Sequence, residues 1–155
     1  MINLIINISI VIVSFITMEG VAWLSHKYIM HGLLWKLHKD HHVPEQNKKL
    51  ERNDSFFFIF ATPAIICFIV GFNDLSIFFW IGVGITLYGL AYFFIHDLFI
   101  HQRIKVLRNA NSLYFRAIRK AHKVHHKHLG KEDGECFGML WPPIKYFNEG
   151  KKNAG

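Results

Sequence analysis

A chain of 155 residues, 52% hydrophobic and with a formal net charge of +7, has room for one domain and one core. Its apolar residues run in long blocks instead of recurring at helical or strand spacing, which excludes an ordinary soluble globule. Two cysteines exclude a disulfide scaffold and fall short of the four thiolates that usually hold an iron–sulfur cluster.

Residues 2–24 form the first apolar block, interrupted by Glu19. No basic segment precedes it and no small-residue cleavage site follows it, so it reads as a retained span and not a secretory leader. With no breaker after it, the helix should run on into His26. Glu19 lies seven residues earlier, about 20° away around the helix. A carboxylate inside a span is costly, and Glu19 is a candidate to accept a hydrogen bond from a ligand histidine or to pair with a basic group.

His26 and His31 then open a pattern, H-x4-H, that His38, His41 and His42 continue as H-x2-H-H. A straight helix would set His26 and His42 roughly 24 Å apart. Ions in two-metal sites are about 3.5–4 Å apart, so convergence on one centre requires a bend, and Gly32 is the expected place. His38, His41 and His42, at i, i+3 and i+4, share one helical face. Pro44 should end that helix, and residues 45–54 read as a polar loop.

The second and third apolar blocks, residues 56–72 (with Pro63 inside) and 75–95, are joined by a turn at Asn73-Asp74. All 18 Lys and Arg fall within 27–52 or 103–152. The positive-inside rule therefore puts 25–55 and 96–155 in the cytoplasm, with three spans crossing the cell inner membrane. The basic residues suit anionic lipid headgroups, and no nucleic-acid partner is expected.

At the third membrane exit the H-x4-H spacing returns as His96 and His101. On an α-helix these residues point about 140° apart, so they serve different metals or need local unwinding. Asn111 or Ser112 can cap a further helix that Gly130 terminates. Phe115, Ile118, His122, His125, His126 and Leu129 line one side of it; Arg116, Arg119, Lys120, Lys123 and Lys127 line the other. That is a basic amphipathic helix fit for the headgroup level. Cys136 to Trp141 should form a covering loop, followed by a solvated tail.

The expectation is an all-α integral membrane protein of one domain, with about three transmembrane helices plus cytoplasmic helices that carry histidine clusters. Ten of the eleven histidines occupy the twice-repeated pattern, and imidazole is the commonest protein metal ligand, so the pattern points to a shared metal centre. The chain has no H-E-x-x-H, no cysteine pair and no Glu-x-x-His, which excludes the zincin, zinc-ribbon and carboxylate di-iron patterns. An imidazole-rich set leaves Zn, Fe, Cu and Ni open. Asp40 and Asp97, each beside a histidine, are candidates with Glu19 for orienting the ligand rings.

Several stretches resemble the membrane-bound histidine-motif oxygenases of the fatty acid hydroxylase superfamily, and within it the short bacterial carotenoid-hydroxylating branch. These are HKYIMHG (26–32), LHKDHH (37–42), ERND (51–54), YGLAYFFIHDLFIHQR (88–103), KAHKVHH (120–126) and GKEDGECFGML (130–140). The resemblance implies a centre of two iron ions that activates O₂ and hydroxylates carbon 3 of β-ionone rings, taking β-carotene through β-cryptoxanthin to zeaxanthin. It makes His26, His31, His38, His41, His42, His96, His101, His122, His125 and His126 the metal-ligand and catalytic set. Zinc has no redox chemistry with which to activate O₂, whereas iron does. With no dinucleotide fingerprint and no cluster cysteines, the chain must borrow electrons, for which a ferredoxin-type donor steered by the basic face is expected. The carotenoid should arrive laterally from the bilayer through a groove lined by aromatic residues between Phe56 and Phe99. Two other readings remain: a fatty acyl or sterol hydroxylase or desaturase of the same superfamily, and a non-enzymatic histidine-rich metal carrier.

Overall fold

A computed structural model describes residues 2–43, 50–105, 107–132 and 134–152; Pro44 and the first part of the 45–54 loop lie outside them. The architecture is all-helical, with no strand among the described residues. Helix α1 (Ile2–Leu24) continues as a π-helical segment, Ser25–Leu33, and breaks before α2 (Trp35–His42). A 3₁₀ turn (Arg52–Asp54) leads into α3 (Ser55–Gly71). Helix α4 (Ile77–Phe93) also ends in a π-helical segment, Phe94–Ile100, and α5 (Leu113–His125) and α6 (Ile144–Lys152) complete the chain.

Three continuous stretches, Ile2–Leu33, Arg52–Gly71 and Ile77–Ile100, are long and apolar enough to cross a membrane. Their outward surfaces are hydrocarbon: Ile5, Phe57, Phe58, Ile69 and Phe78 are all exposed, as befits side chains that meet acyl tails. The chain is a membrane protein.

Helix α4 sits between α1 and α3, and its glycines set the spacing. A Cβ at Gly84 would come within 2.6 Å of Ser14 Cβ and 2.7 Å of the Val11 carbonyl; one at Gly82 would crowd Cys67 and Phe68 at 3.2 Å. Small residues thus let the helices approach closely where lipid offers no hydrophobic drive to associate. Helices α1 and α4 run parallel, since Ser14 faces Gly84 and Glu19 faces Tyr88. The antiparallel α3 brings Phe56 beside His38. All four histidine clusters consequently gather at one end of the three-helix bundle.

The bend between the first two clusters falls at Gly32, whose φ of −122° and ψ of −105° leave the helical region. Ser112 caps α5, its hydroxyl accepting from the Phe115 N–H at 3.3 Å. The helix stops at His125, several residues before Gly130. Its inward face is Ala117, Ile118, Ala121, His122 and His125; Leu129, expected on that face, lies beyond the helix and is exposed. The opposite face is less uniformly solvated than its charge implies, because the Arg119 guanidinium stacks 4.5 Å over the Phe99 ring.

The chain after Trp141 is more than a solvated tail. Helix α6 docks on α5 by placing Tyr146 against Ala117 and Ala121, where two small side chains leave room for a ring. The Tyr146 hydroxyl donates to Glu135 Oε1 at 2.7 Å, and Lys145 pairs with the same carboxylate.

Candidate metal centre

The H-x4-H pairs sit on the two π-helical segments, with His101 at the C-cap of the second. There each turn holds an extra residue, so positions five apart come onto one face. The i→i+5 hydrogen bond from the His101 N–H to the His96 carbonyl, 2.9 Å, is the local signature. This widening brings His26 and His31 together, and likewise His96 and His101, which an α-helix would have splayed.

The ligand atoms form two groups. His26, His31, His38, His42 and His125 make one; His41, His96, His101 and His122 make the other, and within each the nitrogens all lie within 4.8 Å of one another. Each half of the chain lends its middle histidine to the other half's group: His41 crosses to the late set and His125 to the early one. His126 lies between the two, its ring centroid 4.4 Å from that of His42 and 4.5 Å from that of His122, with a buried Nε2 that has no hydrogen-bond partner. All ten histidines singled out in the sequence are therefore drawn to one place.

Six of them turn the outer nitrogen to an acceptor, whereas His42 Nδ1 is buried without one. His26 Nδ1 donates to the Phe137 carbonyl (3.0 Å), His31 Nδ1 to that of Leu129 (2.9 Å) and His125 Nδ1 to that of Glu135 (2.9 Å). His38 Nδ1 donates to Asn53 Oδ1 (2.7 Å), His41 Nδ1 to Glu51 Oε2 (2.9 Å) and His96 Nδ1 to Asp97 Oδ2 (3.2 Å). An acceptor at Nδ1 fixes the proton there and leaves the Nε2 lone pair pointing inward. Those lone pairs then meet head on: His26 and His38 at 3.0 Å, His31 and His125 at 3.2 Å, His41 and His96 at 3.1 Å. Neutral imidazoles so placed repel unless a cation sits among them. Two nitrogens each about 2.0–2.1 Å from a common ion lie about 3–3.4 Å apart, so the spacing fits a metal.

Burial, with neighbouring imidazoles adding to it, also keeps the rings outside the spans from taking up protons. It holds His38, His41 and His125 down to about 3, His101 to about 2 and His126 to about 4, so all five are neutral near pH 7 and able to ligate. Burial also pushes the Cys136 thiol of the covering loop up to about 11. The folded values lie below the ordinary 6.5, so the unfolded chain binds more protons in acid. Stability is thus fully present above about pH 6.5 and lost as pH falls toward the folded values, by about 1.4 kcal/mol per pH unit for each histidine. We expect the thermal midpoint of the metal-free protein in detergent to be flat above pH 7 and to fall steadily below 6.5. A midpoint that rises on acidification would mean the rings are charged.

Of the three acids singled out beside the histidines, only Asp97 touches a ring. Asp40 is next to His41 in sequence but points elsewhere on the helix. Its carboxylate accepts from the Arg52 N–H (2.5 Å) and the Asn53 N–H (3.4 Å), and so fixes the turn that carries Glu51 and Asn53. Glu19 reaches no histidine, being about 10.5 Å along the helix axis from His26. Its Oε1 accepts from the backbone N–H groups of Met139 (2.9 Å), Leu140 (2.9 Å) and Trp141 (3.2 Å), and its Oε2 from the Tyr88 hydroxyl (2.7 Å). This carboxylate pins to α1 the loop whose carbonyls at 135 and 137 orient His125 and His26. Between those carbonyls Cys136 adopts φ of 61°, a left-handed turn that few non-glycine residues accept.

Glu51, Asn53 and Arg103, though inside stretches already noted, carry no ligand-like spacing, and the carbonyls of Leu129, Glu135 and Phe137 have no side-chain signature at all. Of the aromatic residues expected to line a groove between Phe56 and Phe99, Phe57, Phe58, Phe93 and Phe94 are exposed, while Phe56 and Phe99 are packed inside. A cleft of about 410 Å³ lies between α1 and the covering loop, lined by Ile16, Gly20, Trp23, Gly138 and Trp141 among others. It shares Cys136 and Gly138 with a small cavity that reaches His122.

A family model described as fatty acid hydroxylase matches residues 11–146. The chain is 40% identical over 138 residues to the beta-carotene hydroxylase of Pseudescherichia vulneris, an alignment covering 89% of this chain and 78% of that one. It is 38% identical over 148 residues to the beta-carotene hydroxylase of Paracoccus sp. (strain PC1), covering 94% and 91%. Similarity extends to the chloroplastic beta-carotene 3-hydroxylase of an Oncidium hybrid cultivar, 38% identical over 136 residues, 85% of this chain but 44% of the longer plant protein. No solved structure matches the chain at a significant level.

Proposed function

The chain belongs to the fatty acid hydroxylase family, and from that premise we propose that it hydroxylates carbon 3 of β-ionone rings, converting β-carotene to β-cryptoxanthin and then zeaxanthin. The names of its relatives support the substrate. The observation that carries the chemistry is the pair of adjoining histidine groups, each with lone pairs aimed at a common point. The ten histidines would hold two iron ions, nine of them in the two groups and His126 between. When bound, the iron pair supplies the O₂ activation by which R–H, O₂, two electrons and two protons become R–OH and water.

The protein's own residues do the rest. Acceptors at Nδ1 keep the rings oriented and neutral, and Glu19 holds the loop that roofs the site. We read the cleft between α1 and that loop as the way a carotenoid ring leaves the bilayer, its floor adjoining the cavity at His122. The cluster-bearing end faces the cytoplasm of an inner-membrane protein, in keeping with the distribution of Lys and Arg. From that side a ferredoxin-type donor delivers electrons to the basic face of α5. If charge steers that donor, turnover supported by reduced ferredoxin falls as salt is raised; salt-independent turnover excludes steering.

Expression in cells that accumulate β-carotene tests the function directly. We expect zeaxanthin to appear as a more polar pigment, with β-cryptoxanthin preceding it. Unchanged pigment together with a new hydroxylated acyl chain or sterol would assign the chain to another branch of its family. Unchanged pigment with metal flux in sealed vesicles would make it a carrier.

A further inference from the structure

The two histidine groups differ in what stands behind them. In the five-histidine group the outer partners of four rings are neutral oxygens, the carbonyls of Phe137, Leu129 and Glu135 and the amide oxygen of Asn53, while His42 Nδ1 has none. In the four-histidine group the outer partners are carboxylates, Glu51 behind His41 and Asp97 behind His96. One cation ties these acids together. Arg103 Nη2 donates to Glu51 Oε2 at 3.1 Å and to Asp54 Oδ1 at 2.6 Å, and its Nε forms an ion pair with Asp97 Oδ1 at 3.0 Å. Glu51 Oε2 thus accepts from His41 and Arg103 at once, while Asp97 divides its two oxygens between His96 and Arg103.

The backbone is bent to make this possible. Gln102 adopts φ of 51°, and the Arg103 N–H returns to the Asp97 carbonyl at 3.0 Å, folding the guanidinium back over the acid six residues before it. Without Arg103, three carboxylates gathered on one side of the centre would repel; the guanidinium offsets that repulsion and holds them in register. An anionic acceptor draws the Nδ1 proton harder than a carbonyl does, making the opposite nitrogen a stronger donor to metal. The net negative charge also favours the higher-charged form of a nearby ion.

We propose that Arg103, Glu51 and Asp97 act as positioning residues that make the His41–His96–His101–His122 position electronically distinct, holding its ion more tightly and in the more readily oxidised state. The inference rests on the two-iron reading above.

Mössbauer spectra of ⁵⁷Fe-loaded full-length protein in detergent, with the rate of iron loss to a chelator, test it. The wild type should show two quadrupole doublets of equal area and lose its ions in two steps. Glu51→Gln, Asp97→Asn and Arg103→Gln should each shift the same one doublet and weaken retention of that ion about 10–100-fold, leaving the other doublet in place. Asn53→Ala should move the other doublet. Arg103→Lys, a point charge that cannot bridge three acids, should recover only part of the loss. A single wild-type doublet, release of both ions at one rate, or carboxylate variants that move both doublets alike would overturn the inference, and the wild-type spectrum decides even if a variant fails to fold. Fewer than two irons per chain would overturn the two-iron reading with it.

Discussion

Replacing His41 by alanine should lower zeaxanthin formation by at least about 100-fold, more than the usual cost of losing a supporting partner, and His125→Ala should do the same. Each is the histidine that crosses from its own half of the chain to the other half's group. Removing either takes a nitrogen from one group and also one of the two crossings between the halves. His125 is fully buried and His41 nearly so, which leaves no room for another side chain to take over. His128, three residues past His125 and in neither group, is the control: His128→Ala should leave pigment conversion unchanged. Pigment chromatography against membrane-inserted protein, with iron content alongside, checks all three. Full activity in the His41 variant would remove it from the centre.

The second large effect should come from a residue that touches no ligand. Glu19→Ala orphans three backbone N–H groups at Met139, Leu140 and Trp141, at about 1–3 kcal/mol for the buried Met139 N–H and less for the two part-buried ones. That is enough to free the loop from α1. The Phe137 and Glu135 carbonyls then no longer hold His26 and His125, and we expect iron content and turnover to fall together by about 10–100-fold. Glu19→Gln keeps an oxygen for the backbone but loses the charge that strengthens each bond, so it should fall between wild type and Glu19→Ala. Iron analysis and thermal unfolding in detergent measure this; normal iron content in Glu19→Ala would show that the loop holds without its anchor.

The three spans, the turn between the second and third, the bend at Gly32 and the gathering of the clusters at one membrane face were all legible in the sequence. Each follows from composition along the chain or from a spacing that only one geometry satisfies. The H-x4-H motif was legible as an alternative: an α-helix separates its two rings, and the local unwinding that reunites them is the π-helical widening at both membrane exits. What stayed hidden was mostly carried by the backbone. A carbonyl at 129, 135 or 137 looks the same in every sequence, and its role appears only when the loop is folded over His26, His31 and His125. Asp40 shows the limit of sequence adjacency: neighbours on a helix point about 100° apart, so it served the Arg52–Asn53 turn instead of the ring beside it. Glu19 shows the converse, an acid placed near the site by periodicity whose partners lie some 120 residues later. Helix α6 was missed because its polar, lysine-bearing sequence hides the two rings, Tyr146 and Phe147, that dock it.

The central claim, that histidines from both halves of the chain enclose a pair of iron ions at one end of the membrane bundle, is tested most directly by counting iron in the purified, catalytically competent protein. Two ions per chain is the predicted result. One ion or none would contradict it.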